Sequence, residues 1–96
     1  MSRVIKGTVP KFDLGRISAT PGARQMLRPE EIRVALCRHI SGDWGNLDDD
    51  DREKNEIALK EKNRLLSVYY GETGVKFYII TEHDRSATTV LLPEDY

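Results

Sequence analysis

A single cysteine, Cys37, stands among the 96 residues. It has no partner within the chain for a disulfide or a cysteine-based zinc site, and a lone thiol suits a reducing compartment. Long apolar runs are missing too. The longest, around Val75 to Ile80 and Val90 to Leu92, are strand-sized, well short of the ~20 residues that span a membrane. Residues 1–9 carry Arg3 and Lys6 without the apolar stretch of a signal peptide. A cytoplasmic protein with no membrane partner is the expectation. Charge of one sign is also lacking. Fifteen Lys and Arg meet sixteen Asp and Glu, so no global field draws the chain onto nucleic acid or makes it a mimic of DNA. Electrostatic recognition is left to local patches.

Chemistry-bearing motifs are equally scarce. The sequence contains no glycine-rich phosphate loop, no Gly-x-Ser-x-Gly elbow, no His-Glu-x-x-His and no Cys-x-x-Cys. The acidic run Asp48 to Asp51 lacks the alternating ligands, central glycine and distal glutamate of a calcium loop. It reads instead as the first turn of a helix, where negative charge meets the positive end of the dipole. No cofactor and no metal ion are expected.

What the chain does have is a change of period. Residues 1–96 make one domain, with 1–10 read as a tail. Phe12, Leu14 and Ile17 predict a short strand over residues 11–18 that bends at Gly15. Thr20 and Pro21 are a helix cap and first position, Ala23, Met26 and Leu27 face inward, and Pro29 ends that helix and opens the next. Ile32, Leu36 and Ile40 recur every four residues beside Ala35 and His39, the pattern of an amphipathic helix that Gly42 stops. A third helix runs from about Asp48 to Lys60 and buries Ile57, Ala58 and Leu59. After Arg64 the spacing becomes two. Leu65 to Tyr70, Val75 to Ile80 and Thr88 to Leu92 alternate around the turns at Gly71–Gly74 and Glu82–Ser86. The predicted fold is α+β, with two or three helices on one face of an antiparallel sheet made of the N-terminal strand and a C-terminal three-stranded meander.

Two segments concentrate unusual residues. Arg38 to Gly45 puts His39 in the last turn of a helix, ahead of Asp43 and the only tryptophan, Trp44. As a site, the helix terminus raises the proton affinity of His39 and Asp43 orients its ring. As structure, His39 satisfies the last carbonyls and Trp44 fills the gap between helix and sheet. Asn55 is placed to tie down the Asp43 turn. The second segment, Thr81 to Ser86, gathers Glu82, His83, Asp84 and Arg85. Glu82, His83 and Arg85 suit an acid, a base and a phosphate clamp for RNA cleavage, whereas Asp84 and Ser86 are also plain turn formers. Catalytic candidates are therefore His39, Asp43, Glu82, His83 and Arg85, and binding candidates are Trp44, Asp84 and Arg85. Tyr69, Tyr70, Phe77 and Tyr78 on adjacent strands suit either base stacking or ordinary cross-strand packing.

The stretches Phe12 to Ala23, Arg38 to Gly45 and Ile80 to Tyr96 resemble a family of small bacterial proteins carried by plasmids and other mobile elements. The resemblance covers about residues 12–96. Relatives are labelled plasmid-related, or as the modification subunit of a type I restriction system. A DNA methyltransferase needs a doubly wound sheet and a cofactor loop, which this chain is too short to hold. The resemblance implies a mobile-element setting, where toxins, antitoxins, inhibitors of host defence and small regulators operate, and it assigns no residue a role. Two functions stay open. One is a non-enzymatic accessory protein that binds a macromolecular partner, a protein in preference to nucleic acid, with a homodimer through the edge of the last strand (Ala87 to Leu92) as a further option. The other is a ribonuclease toxin of the RelE-like α+β type, using His39, Glu82 and Arg85; that likeness lies in element order alone.

Overall fold

The switch of period after Arg64 is where helix gives way to sheet. A computed structural model describes residues 9–96, so the tail read over residues 1–10 lies outside the described residues except for Val9 and Pro10. The elements in chain order are β1 (Arg16–Ala19), α1 (Pro21–Met26), α2 (Pro29–Ile40), α3 (Asp49–Glu61), β2 (Leu65–Tyr70), β3 (Lys76–Thr81) and β4 (Ala87–Leu91). A 3-10 turn over Pro93–Asp95 follows. The fold is α+β.

Local chemistry sets most boundaries. The Thr20 hydroxyl accepts from the Ala23 amide at 3.2 Å, and Pro21 occupies the first turn of α1. Pro29 opens α2, and the Glu31 carboxylate reaches back to the Arg28 amide at 3.4 Å. Asp48 caps α3 by accepting from the Asp51 amide at 2.8 Å, which accounts for the acidic run. Lys62 then ends α3 in the left-handed conformation, its amide bonded to Ala58.

The sheet order is β1-β4-β3-β2. The meander is antiparallel, with Leu65 opposite Thr81 and Ile79 opposite Val90. β1 departs from the antiparallel expectation and pairs with β4 in parallel, Arg16 opposite Ala87 and Ala19 opposite Val90. No hairpin joins these two strands, so no turn dictates their relative direction. The chain leaves Gly15 beside the β3–β4 turn, where the Arg16 amide donates to the Ser86 carbonyl at 2.9 Å, and both strands start there and run the same way. This placement corrects the edge-dimer expectation: β4 is an inner strand with a ladder on each side.

One face of the sheet carries Leu65, Ser67, Tyr69, Phe77, Ile79, Thr81, Thr88 and Val90, all buried. Against it pack Ala23 and Leu27 at the end of α1 and Ala35, Ile32 and Leu36 of α2. A second cluster joins Trp44, Ala58 and Leu65 with Phe12, Leu47 and Leu59. Two expected core residues are about half exposed, Met26 and Ile57. Ala23 and Leu27, four apart, take the inner face of the short α1 and turn Met26 outward. On α3 the buried pair is Asn55 and Ala58, three apart, which leaves Ile57 on the flank.

Both backbone groups of Leu66 on the outer edge of β2 are bound by the Asn55 side-chain amide, whose oxygen accepts from the Leu66 N–H at 3.2 Å. Asn55 thus ties down β2, not the Asp43 turn. Two residues on, the Val68 amide donates to the Trp44 carbonyl at 3.1 Å and the Val68 carbonyl accepts from the Asn46 amide at 2.7 Å. Gly45 makes this approach possible. Its φ is +77°, and a Cβ there would collide with the Val68 carbonyl and the Tyr69 ring. Gly45→Ala should therefore lower unfolding free energy by about 3 kcal/mol, read from chemical denaturation. A change within 0.5 kcal/mol, roughly that of an ordinary surface substitution, would contradict the packing.

Candidate functional site

His39 lies at the centre of the molecule and is 0% exposed. Its ring bridges α2 to three strands by way of hydroxyls. Nδ1 lies 2.6 Å from Ser67 Oγ, and Nε2 lies 2.9 Å from Thr81 Oγ1. Thr81 Oγ1 is 2.7 Å from Thr88 Oγ1, and the Thr88 hydroxyl donates to the Leu14 carbonyl at 2.7 Å. That last bond orients the rest. Thr88, having given its proton to a carbonyl, accepts from Thr81; Thr81 accepts from His39 Nε2–H; Ser67 donates to Nδ1. The ring is the neutral Nε2–H tautomer with both nitrogens satisfied. Phe12 and Trp44 meet it edge-on, with centroids at 5.2 and 5.7 Å.

This surrounding overturns the expected rise in proton affinity. Burial, with the charge of Arg85 as a lesser cause, lowers the His39 pKa to about 3. Asp43 does not orient the ring. Its carboxylate is held by Arg38 at 2.8 and 3.3 Å and accepts from the Gly45 amide at 3.2 Å, so its pKa is lowered, chiefly by the Arg38 hydrogen bond. Arg38 also lies over the Tyr69 ring, and the Tyr69 hydroxyl donates to the Asp43 carbonyl at 2.6 Å. Trp44 is 2% exposed, stacks on Phe12 and donates Nε1–H to Glu56 at 2.7 Å. The segment Arg38 to Gly45 is thus joined to the core and presents no side chain of Trp44 or His39 to a ligand.

The Thr81–Ser86 segment is divided. Thr81 belongs to the buried network, and Glu82 lies 3.6 Å from Arg64 in a half-exposed ion pair. Asp84 accepts from the Ser86 amide at 3.0 Å, the turn-forming contact expected of it, and its pKa is lowered first by the Ser86 hydroxyl. Arg85 has φ +61° and sends its guanidinium to the end of α3. There it donates to the carbonyls of Ala58 at 3.2 Å and Asn63 at 2.6 Å, and within its own turn to that of Glu82 at 3.2 Å. A cation near a helix C-terminus meets the negative end of the dipole, and burial lowers this guanidinium's pKa. Arg85 is a helix cap. His83 is exposed, and with Asp84 and Arg85 it lines a hollow of about 380 Å³ that Lys11, Asp13 and Lys62 complete. His39, Asp43 and Glu82 do not line that hollow. No group of three or more metal-ligating side chains occurs among the described residues.

The four sheet aromatics are split between faces. Tyr69 and Phe77 point into the core, their centroids 5.8 Å apart, while Tyr70 is exposed and Tyr78 half-buried on the other side. Tyr96 folds back edge-on over Tyr78, with centroids 6.0 Å apart, and accepts from Arg64 at 3.4 Å.

A feature that sequence reasoning missed lies between β1 and α2. Two adjoining hollows of about 740 and 760 Å³ share Ile17, Arg33 and Leu36. Ala19, Leu27, Ile32 and Val90 line one half, and Phe12, Leu14 and Ile40 line the other. The signal was present in Ile17, an apolar residue on a four-residue strand, but only the sheet order places it at an edge. No family model, curated protein or solved structure matches this chain.

The buried histidine carries a pH consequence. Its folded pKa is depressed, so between about 3 and 6.5 the unfolded chain binds a proton that the folded chain refuses. The contribution to stability is complete above pH 6.5 and is lost as pH falls toward 3. From pH 6 to 5 the His39 contribution should lower the folding equilibrium constant about eightfold in denaturation measurements. His39→Gln should flatten that slope; an unchanged slope would mean that the ring is protonated in the folded state.

Proposed function

We propose that this is a small cytoplasmic accessory protein of a mobile element that acts by binding a protein partner and has no catalytic activity of its own. The carrying observation is the apolar groove between β1 and α2, which leaves Ile17 49% exposed at the edge of the sheet. Proton-transfer candidates weigh the other way for catalysis. His39 is neutral and enclosed, Asp43 is paired, and Arg85 donates to three backbone carbonyls. The mobile-element setting rests on the resemblance over residues 12–96.

Nucleic acid is the weaker partner, because the net charge is -1 and the aromatics do not form one stacking platform. Among the described residues no helix is long and apolar enough to cross a membrane.

Incubation of the purified chain with total RNA and with single-stranded and duplex DNA should leave all three intact. Under the binding reading, Arg85→Ala loses a helix cap, worth about 1–2 kcal/mol of stability, and changes no nuclease readout. RNA cleavage that disappears in a folded Arg85→Ala or His83→Ala variant would establish the ribonuclease instead.

A further inference from the structure

We infer that the groove receives an extended acidic segment of another protein, which adds to the sheet as a strand beside β1. This rests on the binding reading and specifies the mode and the partner chemistry.

The two outer edges of the sheet are treated differently. On β2 the outward backbone groups of Leu66 and Val68 are taken by Asn55 and by the Trp44–Asn46 segment. On β1 the register turns Arg16 and Ser18 toward β4, with the Arg16 amide bonded to Ser86 and the Thr20 amide to Val90. The alternation of a parallel ladder then directs the N–H and C=O of Ile17 and Ala19 outward, and neither has a partner among the described residues. A bare edge is a template for a further strand. Four backbone groups stand beside a floor that would receive every second side chain of the incomer. Ile17, Ala19, Ile32 and Leu36 make that floor, so those side chains are apolar.

Charge selects the occupant. Arg24 and Arg33 line the groove, and Arg16 projects from the opposite face of the same strand. All three are exposed and belong to no ion pair among the described residues, whereas Arg28, Arg38 and Arg64 each hold a carboxylate. Among the described residues the only acid on the groove is Asp13, in the half away from Arg24. A second copy docking edge to edge would set arginine against arginine. The chain's own first eight residues carry Arg3 and Lys6 and no acid, so the same repulsion applies to them. An acidic strand of a different protein meets neither penalty.

The test is panning of a random dodecapeptide display library on the full chain. Enriched peptides should combine Asp or Glu with apolar residues at alternate positions, and each should weaken at least about tenfold with Ile17→Pro. That change deletes an outward N–H and leaves the ladder to β4 intact. Arg24→Glu with Arg33→Glu, two exposed helix positions, should weaken the same peptides by at least about tenfold and serves if the proline variant does not fold. Basic or uncharged peptides, or acidic ones whose affinity ignores both changes, would overturn this inference and leave the binding reading standing. Recovery of no peptide would overturn it as well, while nucleic-acid cleavage by the chain would overturn the reading beneath it.

Discussion

A histidine buried among hydroxyls sets the geometry of this molecule. An imidazole in an apolar core costs free energy unless both nitrogens are bonded, and the three strands each supply one hydroxyl to the network. Ser67 comes from β2, Thr81 from β3 and Thr88 from β4, so the ring fits only when the strands lie in their observed register. The network ends on the Leu14 carbonyl, which places the chain just before β1 beside the start of β4. One side chain at the end of α2 therefore couples the helical layer, the meander and the entry of the parallel strand. Low local dielectric strengthens each of these bonds and raises the penalty for losing any of them.

The same network explains why residues that resemble catalytic equipment do structural work. A general acid or base needs access to substrate and a pKa near the working pH. Burial denies His39 both. Arg85 is drawn to the carbonyls at the end of α3, and Asp43 to Arg38, because each finds a nearby charge or dipole of opposite sign. What remains unspent lies along the β1 edge. The outer edge of β2 is closed by a side-chain amide and a short parallel bridge, while among the described residues the β1 edge has no partner and borders an apolar groove whose arginines pair with no carboxylate.

The starts of the helices were legible in the sequence. Thr20, Pro21, Pro29 and Asp48 act through the backbone within one turn, so their effects can be read without knowing the fold. The hairpin at Gly71 to Gly74 and the alternation of the last three strands were equally local. Residues whose partners lie far along the chain were not. Asn55 answers to Leu66, Arg85 to Ala58 and Asn63, and His39 to Ser67 and Thr81. Residue type marked them as unusual but could not say what each would meet.

Spacing and capping alone determined the class of this protein: a short strand, then helices, and a meander after them. Tertiary structure decided the direction of β1, the inner position of β4 and the closure of the β2 edge. The division has a physical cause. Periodicity reports which face of an element is apolar, and that constraint is local. Strand order depends on closing loops tens of residues long, whose entropy varies slowly with length and favours no particular neighbour. Only the simultaneous satisfaction of a buried ring, three hydroxyls and a carbonyl selects one arrangement.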